Sequence, residues 1–192
     1  MPTDETTRLP LPPVLETERL ILRRMRLSDA PAIQRHFNDR EVVKHLNGRV
    51  PWPYPDDGAE THIRTSLEKR DRYYWSITLK DAGDEAIGLI SIKPDPGEAR
   101  EQRGYWLARA HWGQGLMTEA AERVTEHAFV DLGWPELWLG NAEENRSSHR
   151  VKEKQGAKIV DRVPIQTLSG PTMKVVWRLT REDWLERHGR RS

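Results

Sequence analysis

Apolar positions recur along the chain in two rhythms, and the switches between them mark out its elements. "RLILRRM", Arg19 to Met25, reads as a strand, and the following "SDAPAIQRHFND" sets Ala30, Ile33 and Phe37 at helical spacing behind Ser28, a suitable N-cap. "REVVKHL" predicts a second short helix. "NGRVPWPYPDDGAE" holds prolines and glycines that break both kinds of ladder, so it predicts a loop, one that carries Trp52 and Tyr54. A charged helix is expected from Asp57 through Ile63 and Leu67 to about Arg72. "YYWSITLK" and "EAIGLISIK" then read as an antiparallel hairpin joined by "DAGD".

The second half opens with "RGYWLA" as a strand, "HWGQG" as a turn, and a helix from Met117 to about Asp131. Met117, Ala120, Ala121, Val124, Ala128 and Leu132 fall at steps of three and four, one buried stripe. "ELWLGN" completes a strand, helix, strand unit. A helix from about Asn145 to Gln155 is stopped by Gly156, a good C-terminal cap. "AKIVDRVPI" and "TMKVVWRLT" form a last hairpin before the tail helix "REDWLERH". A meander, one parallel crossover and a second hairpin make an α+β fold with a mixed sheet. The length of 192 residues suits one domain, expected over residues 18–192 behind a Pro- and Thr-rich loose arm at residues 1–17.

Charge narrows the partners. Thirty-one Lys and Arg against thirty Asp and Glu leave a net charge of +1, which gives no global attraction for nucleic acid or a membrane surface. The absence of Cys removes disulfides, a thiolate nucleophile and Cys-bound zinc. With an acidic, proline-containing start in place of a signal peptide, and no run near the roughly 18 apolar residues of a membrane span, a cytoplasmic protein is expected. The seven His are scattered without metal-ligand spacing, so no metal is expected.

The candidate chemistry starts at Gly113 and Gly115. A strand turning through glycines into a helix leaves backbone N–H groups aimed outward and reinforced by the helix dipole, a natural seat for phosphate. Thr118 adds a hydroxyl in the first helical turn. A plain tight turn would need the same glycines. No Gly-x-x-x-x-Gly-Lys-Ser/Thr occurs, and a dinucleotide fingerprint would want Gly or Ala where Thr118 stands.

Strand "RGYWLA", then "RAHWGQGLMTEA", then "ELWLGN", then "NRSSHRVKEKQGA", together resemble the acyl-CoA core of the GNAT superfamily of N-acetyltransferases. The branch they resemble contains the ribosomal-protein N-terminal acetyltransferases, and "LETERLILRRMRLSDAPAI" and "PWPYPDDGAETHI" fit it too. The resemblance implies a GNAT-like mixed, strongly twisted sheet with flanking helices and a splayed pair of parallel strands. It implies acetyl-CoA as cosubstrate, with pantetheine on the backbone of Trp106, Leu107 and Ala108. The diphosphate would lie on the turn and first helical amides, so that Arg109, Gly113, Gln114, Gly115, Leu116, Met117 and Thr118, with Asn141 and Asn145, are the cofactor contacts. Ser148 is implied as proton donor to the leaving thiolate, a role alternative to plain helix capping by Asn145, Ser147 and Ser148. The resemblance further implies as acceptor a primary amine of a protein N-terminus or small molecule, and a homodimer through the late hairpin fits the family.

Several positions depart from the branch. Lys152 stands where many members carry a general-acid Tyr, and in "VKEKQ" it is expected to face solvent. Gln102 occupies the place of a frequent Glu; it is expected to orient substrate or water, with the adjacent Glu101 the candidate base although strand alternation turns it to the other face. Trp52 and Tyr54 are candidate walls of the acceptor site, or simply pack their loop down. The helix ends Gln155, Gly156, Ala157 where Leu-Gly-Phe is usual. These departures leave open a non-catalytic acyl-CoA-binding sensor and, further off, a nucleotide-dependent oxidoreductase.

Overall fold

The computed structural model describes residues 8–46, 48 and 50–189. Among these residues eight strands form one sheet: β1 (Leu15–Glu16), β2 (Leu20–Arg24), β3 (Tyr73–Leu79), β4 (Gly88–Ile92), β5 (Arg103–Leu107), β6 (Glu136–Ala142), β7 (Lys158–Thr167) and β8 (Gly170–Thr180). Their spatial order is β1-β2-β3-β4-β5-β6-β8-β7. Neighbours pair antiparallel except β5 and β6, which run parallel and meet at a single register pair, Arg103 with Leu139. The strand, helix, strand crossover read from the sequence is therefore present, and its two strands diverge.

Among the described residues six α-helices flank the sheet: α1 (Ala30–Phe37), α2 (Arg40–Val43), α3 (Gly58–Lys69), α4 (Leu116–Glu126), α5 (Arg146–Gln155) and α6 (Arg181–Arg187). Strand alternation splits the apolar residues between two faces. On one, Leu22, Trp75, Ile90, Leu107 and Leu139 pack against Ala120, Val124, Val151 and Trp184 of α4, α5 and α6. On the other, Met25 and Leu89 pack with Ile33, Tyr54 and Ile63, joined by Phe37, Trp52 and Trp106. The stripe expected on α4 is buried at Ala120, Ala121, Val124 and Ala128. Beyond Glu126 the chain continues into a π-helical turn over His127–Asp131.

Three local expectations change. Ser28 lies inside a 3-10 turn, Leu27–Asp29, and the N-cap of α1 is Asp29. The reason is electrostatic: the buried Asp29 carboxylate receives Arg23, the Arg26 N–H and the Ser76 hydroxyl. Helix α3 stops at Lys69 rather than Arg72 because Arg70 turns left-handed, with φ of 49°. Of the segment expected as a loose arm, residues 1–7 lie outside the described residues. Residues 8–17 are tied to the fold by the bond from Leu9 N–H to the Arg70 carbonyl (2.9 Å), by the Trp75 indole on the Pro13 carbonyl (2.7 Å), and by the buried Leu15.

Candidate active site

The divergence of β5 and β6 exposes backbone that a sheet would otherwise use. In an antiparallel ladder, successive residues direct their N–H and C=O groups alternately to one neighbour and the other. Ala108 N–H donates to the Ile87 carbonyl at 2.8 Å, and Trp106 sits opposite Leu89. Even-numbered residues of β5 therefore serve β4, while Arg103, Tyr105 and Leu107 turn their backbone groups toward β6. Strand β6 meets them at Arg103 and then leaves, so Tyr105 and Leu107 face an opening.

That opening leads into a cleft of about 420 Å³. Tyr105, Trp106 and Leu107 line one side, Gly113 and Gly115 through Thr118 one end, and Asn145, Ser148 and Val151 of α5 the other side. Gly113 and Gly115 hold φ of 75° and 78°. A Cβ built on Gly113 would meet nothing within 4 Å, and one on Gly115 only the Arg19 guanidinium at 3.6 Å, so backbone conformation, not crowding, requires glycine there. Gly115 caps α4, whose first intrahelical bond runs from Glu119 N–H to its carbonyl at 3.1 Å. The amides of Leu116, Met117 and Thr118 are thus left over at a positive helix end. Glu119 receives Thr17 and the backbone N–H and guanidinium of Arg19, tying the β1–β2 turn to α4. Burial pushes this carboxyl up, but those bonds outweigh it and hold it below its ordinary value.

Each expected contact has a definite place. Gly113, Gly115, Leu116, Met117, Thr118, Trp106, Leu107, Asn145 and Ser148 share the cleft. Within β5 the backbone that faces the gap is shifted by one from the expected contacts: Leu107 and Tyr105 face it, whereas Trp106 and the fully buried Ala108 point their amides to β4. The Leu107 carbonyl already accepts the Trp112 indole N–H at 2.7 Å. Arg109 reaches toward Asp39 at 3.9 Å, Gln114 bonds the Ala110 carbonyl through its side chain and the Arg19 guanidinium through its backbone, and the Asn141 amide oxygen accepts the Trp177 indole. None of these three lines the cleft. Asn145 is the N-cap of α5, its amide oxygen accepting Ser148 N–H at 3.1 Å, so capping and cleft lining coincide in one residue.

The acceptor-side expectations fare differently. Gln102 is 4% exposed and its amide is spent on backbone: Nε2 donates to the Pro94 carbonyl and Oε1 accepts Trp138 N–H, both at 2.8 Å. It closes β5 onto β6 just below the point of divergence and has no group left for a substrate. Tyr54 is 8% exposed, edge-on to Phe37 at 5.0 Å, and Trp52 packs beside it in the cluster on the opposite face of the sheet from α4 and α5. The aromatic loop is packed down. Glu101 lies outside the cleft, ion-paired with Lys174 at 3.3 Å beneath Gly140.

The largest correction is Lys152. It is 1% exposed, not solvated: Nζ donates to the Ser148 hydroxyl at 2.8 Å and to the Tyr105 hydroxyl at 3.3 Å, and those two hydroxyls are 2.8 Å apart. The signal was in the sequence, because residues four apart on a helix share a face and Lys152 is four after Ser148. Arg103, also missed, is buried beside them, bonding Thr125 (2.8 Å) and Gln155 (2.7 Å). That pairing explains why a polar Gln155 replaces an apolar residue at the end of α5. Burial pulls the Lys152 ammonium below its ordinary value. Burial would push the Tyr105 phenol up, but Lys152 and Arg103 outweigh it and draw it down.

The comparisons with known proteins agree with this architecture. Residues 19–158 match the family model described as an acetyltransferase (GNAT) domain. The chain is 35% identical over 143 residues to the uncharacterized N-acetyltransferase p20 of Bacillus licheniformis, covering 71% of this chain and 78% of that protein. It is 26% identical over 86 residues to the ribosomal-protein-serine acetyltransferase of Escherichia coli, 43% of this chain and 48% of that one. Among solved structures, an acetyltransferase from T. thermophilus superposes with a TM-score of 0.75 at 27% identity, covering 93% and 94% of the two chains. RimL, a ribosomal L7/L12 alpha-N-protein acetyltransferase in complex with coenzyme A, shares the fold with a TM-score of 0.72 at 15% identity over 88% and 98%. A diverging parallel strand pair, a glycine-capped helix at its mouth and these matches lead to one assignment: the chain belongs to the GNAT family of acetyltransferases and is an acetyl-CoA-dependent N-acetyltransferase.

Proposed function

We propose that the protein transfers an acetyl group from acetyl-CoA to the primary amine of a protein N-terminus or a small molecule, by direct attack within a ternary complex. The observation that carries the reading is the unpaired edge of β5. Tyr105, and Leu107 through its N–H, offer backbone groups to an extended pantetheine arm as an added strand would, and the amides of Leu116 to Thr118 lie at the end where the diphosphate would fall. Arg146, Arg150 and Lys154 line the same cleft and suit a polyanionic ligand. Acetyl-CoA supplies the activated thioester, and the chain supplies position, donors and a proton. Ser148, which lines the cleft, is the candidate for that proton, and direct transfer needs no acyl-enzyme, which fits a chain without Cys.

On the acceptor side the reading moves away from the aromatic loop. Glu41, Lys44, His45, Leu46 and Glu144 line the cleft, and Lys44, Leu46 and Gly48 are stitched to the end of β7 and the turn after it: Ser169 N–H to the Lys44 carbonyl, Leu168 N–H to the Leu46 carbonyl, and Gly48 N–H to the Gln166 carbonyl. This wall would select the amine. Its side chains of both signs suit a polar acceptor such as the peptide ends that the ribosomal-protein relatives' names specify. Calorimetric titration with acetyl-CoA, followed by thiol release with a panel of N-terminal peptides and small amines, tests the reading. Micromolar binding with amine-dependent thiol release is the expected result. No binding at millimolar ligand refutes the whole reading, whereas binding without turnover for any amine identifies the acyl-CoA sensor instead.

A further inference from the structure

Two buried cations flank one phenol at the floor of the cleft. Arg103 and Lys152 are 2% and 1% exposed, and among the described residues neither forms an ion pair with an Asp or Glu. Buried charges are ordinarily paired, because an isolated one forfeits its hydration. Here they converge on Tyr105: the Arg103 guanidinium carbon is 5.7 Å and Lys152 Nζ 5.3 Å from its ring centroid, and Nζ also reaches its hydroxyl. Tyr105 and Ser148 line the cleft; Lys152 stands behind them and does not. The floor therefore holds two cations without an ion-paired carboxylate among the described residues, at the place where a hydroxyl relay opens toward the gap.

We infer that Tyr105 is the proton source for the departing thiolate, acting through Ser148, and that Arg103 and Lys152 are positioning residues which compensate the phenolate it leaves. The inference rests on the acetyl-transfer reading above. As the amine nitrogen bonds to the acetyl carbon and the carbon–sulfur bond breaks, the sulfur takes the Ser148 hydroxyl proton while Ser148 takes the Tyr105 proton. The amine gives up its extra proton to solvent, and solvent returns one to the phenolate, so charge and atoms balance over the cycle. The chain thus places a phenol from the pantetheine strand, instead of one from α5, at the reacting end, and this accounts for a lysine at position 152.

The groups that act on this phenol are Lys152 and Ser148 from α5 and Arg103 from β5; behind them Glu101 before β5 acts on Lys152, which in turn acts on His149 of α5, and Glu122 of α4, bonded to Gln155, acts on Arg103. Glu101 acts on Lys152 and Glu122 on Arg103, both as lesser influences than burial. Tyr54 and Tyr73 are pushed up by burial, so Tyr105 is distinct from both.

Tyr105→Phe keeps the ring and removes the proton. Expected are an acetyl-CoA Kd within about twofold of wild type and a kcat lower by about 10²-fold, the usual worth of a general acid. Thiol release reads this cleanly because the chain has no Cys. A second readout needs no acceptor: the ultraviolet alkaline difference between wild type and Tyr105→Phe isolates one phenol, expected to ionise below an ordinary tyrosine. In Lys152→Met that ionisation should rise by about one pH unit or more. Wild-type kcat in Tyr105→Phe overturns the inference, and so does a Tyr105 phenol that ionises at or above the ordinary value. Failure of wild type to bind acetyl-CoA would refute the functional reading instead, and calorimetry records that separately.

Discussion

Replacing Gln102 by Leu separates a structural clamp from a substrate contact. The side chain fits its site by holding two backbone groups at 2.8 Å, the Pro94 carbonyl and Trp138 N–H, in a place 4% exposed. Leucine fills similar volume but leaves both groups buried and unsatisfied, at about 1–3 kcal/mol each. Apolar burial recovers part of that, so the net loss is about 2–4 kcal/mol. In a chain of this size each kcal/mol moves Tm by about 2–4 °C, giving a fall of roughly 5–15 °C. Urea melts at constant m-value and a thermal scan measure it. Kd for acetyl-CoA should weaken together with stability, because Gln102 sets where β6 leaves β5, and kcat at saturation should change little. A variant with wild-type Tm and lost turnover would refute the clamp and return Gln102 to the acceptor site. Gln102→Glu sharpens the test. A carboxylate accepts Trp138 N–H but opposes the Pro94 carbonyl, so its folded-state pKa is raised. The unfolded chain then loses its proton first, near about pH 4, and stability falls as pH rises from there toward the raised value.

Other changes read other parts of the site. Gly115→Ala forces a Cβ onto φ of 78°, costing about 1–2 kcal/mol in urea melts, and calorimetry should show weaker acetyl-CoA binding as the leftover amides shift; unchanged Kd would remove the helix end from the cofactor site. Asp29 is pushed up by burial but more strongly held down by Arg23, Ser76 and Arg26, so its folded pKa lies below its unfolded one. The stability it contributes is present above about pH 4 and lost as pH falls through the folded value; Asp29→Asn should flatten that acid limb, and an unchanged limb would show that other carboxylates carry it.

The elements were legible because their signals are local: the three- and four-residue stripe of α4, the Asn145 cap and Gly156 stop of α5, and the two hairpins all stand where periodicity and turn chemistry put them. The glycine turn at the end of the cleft was legible for the same reason, since a glycine pair before a helix carries its own geometry. What stayed hidden depended on partners distant in sequence. Gln102 needed Pro94 and Trp138, Arg103 needed Thr125 and Gln155, and Tyr54 needed Phe37 of α1. Trp106 and Ala108 missed the gap by one residue because ladder phase is fixed by β4, which strand propensity does not reveal.

Lys152 shows what such hidden contacts cost. Its ammonium forms hydrogen bonds to Ser148 and Tyr105, but among the described residues it has no carboxylate to repay its lost hydration, so the folded state carries a penalty that an apolar residue would not. In Lys152→Met the Ser148 and Tyr105 hydroxyls still satisfy each other at 2.8 Å. Stability near neutral pH should therefore rise, by about 1–2 kcal/mol, although turnover falls. Linkage supplies an independent check. The folded pKa of Lys152 lies below its unfolded value of about 10.4, so between the two the unfolded chain holds a proton that the folded chain has released, and stability rises with pH across that window. The methionine variant should lose that slope. Urea melts across the alkaline range up to the unfolded value distinguish the outcomes: a less stable variant that keeps the wild-type slope would mean that Lys152 is an ordinary structural donor and that its burial serves the fold, not the reaction.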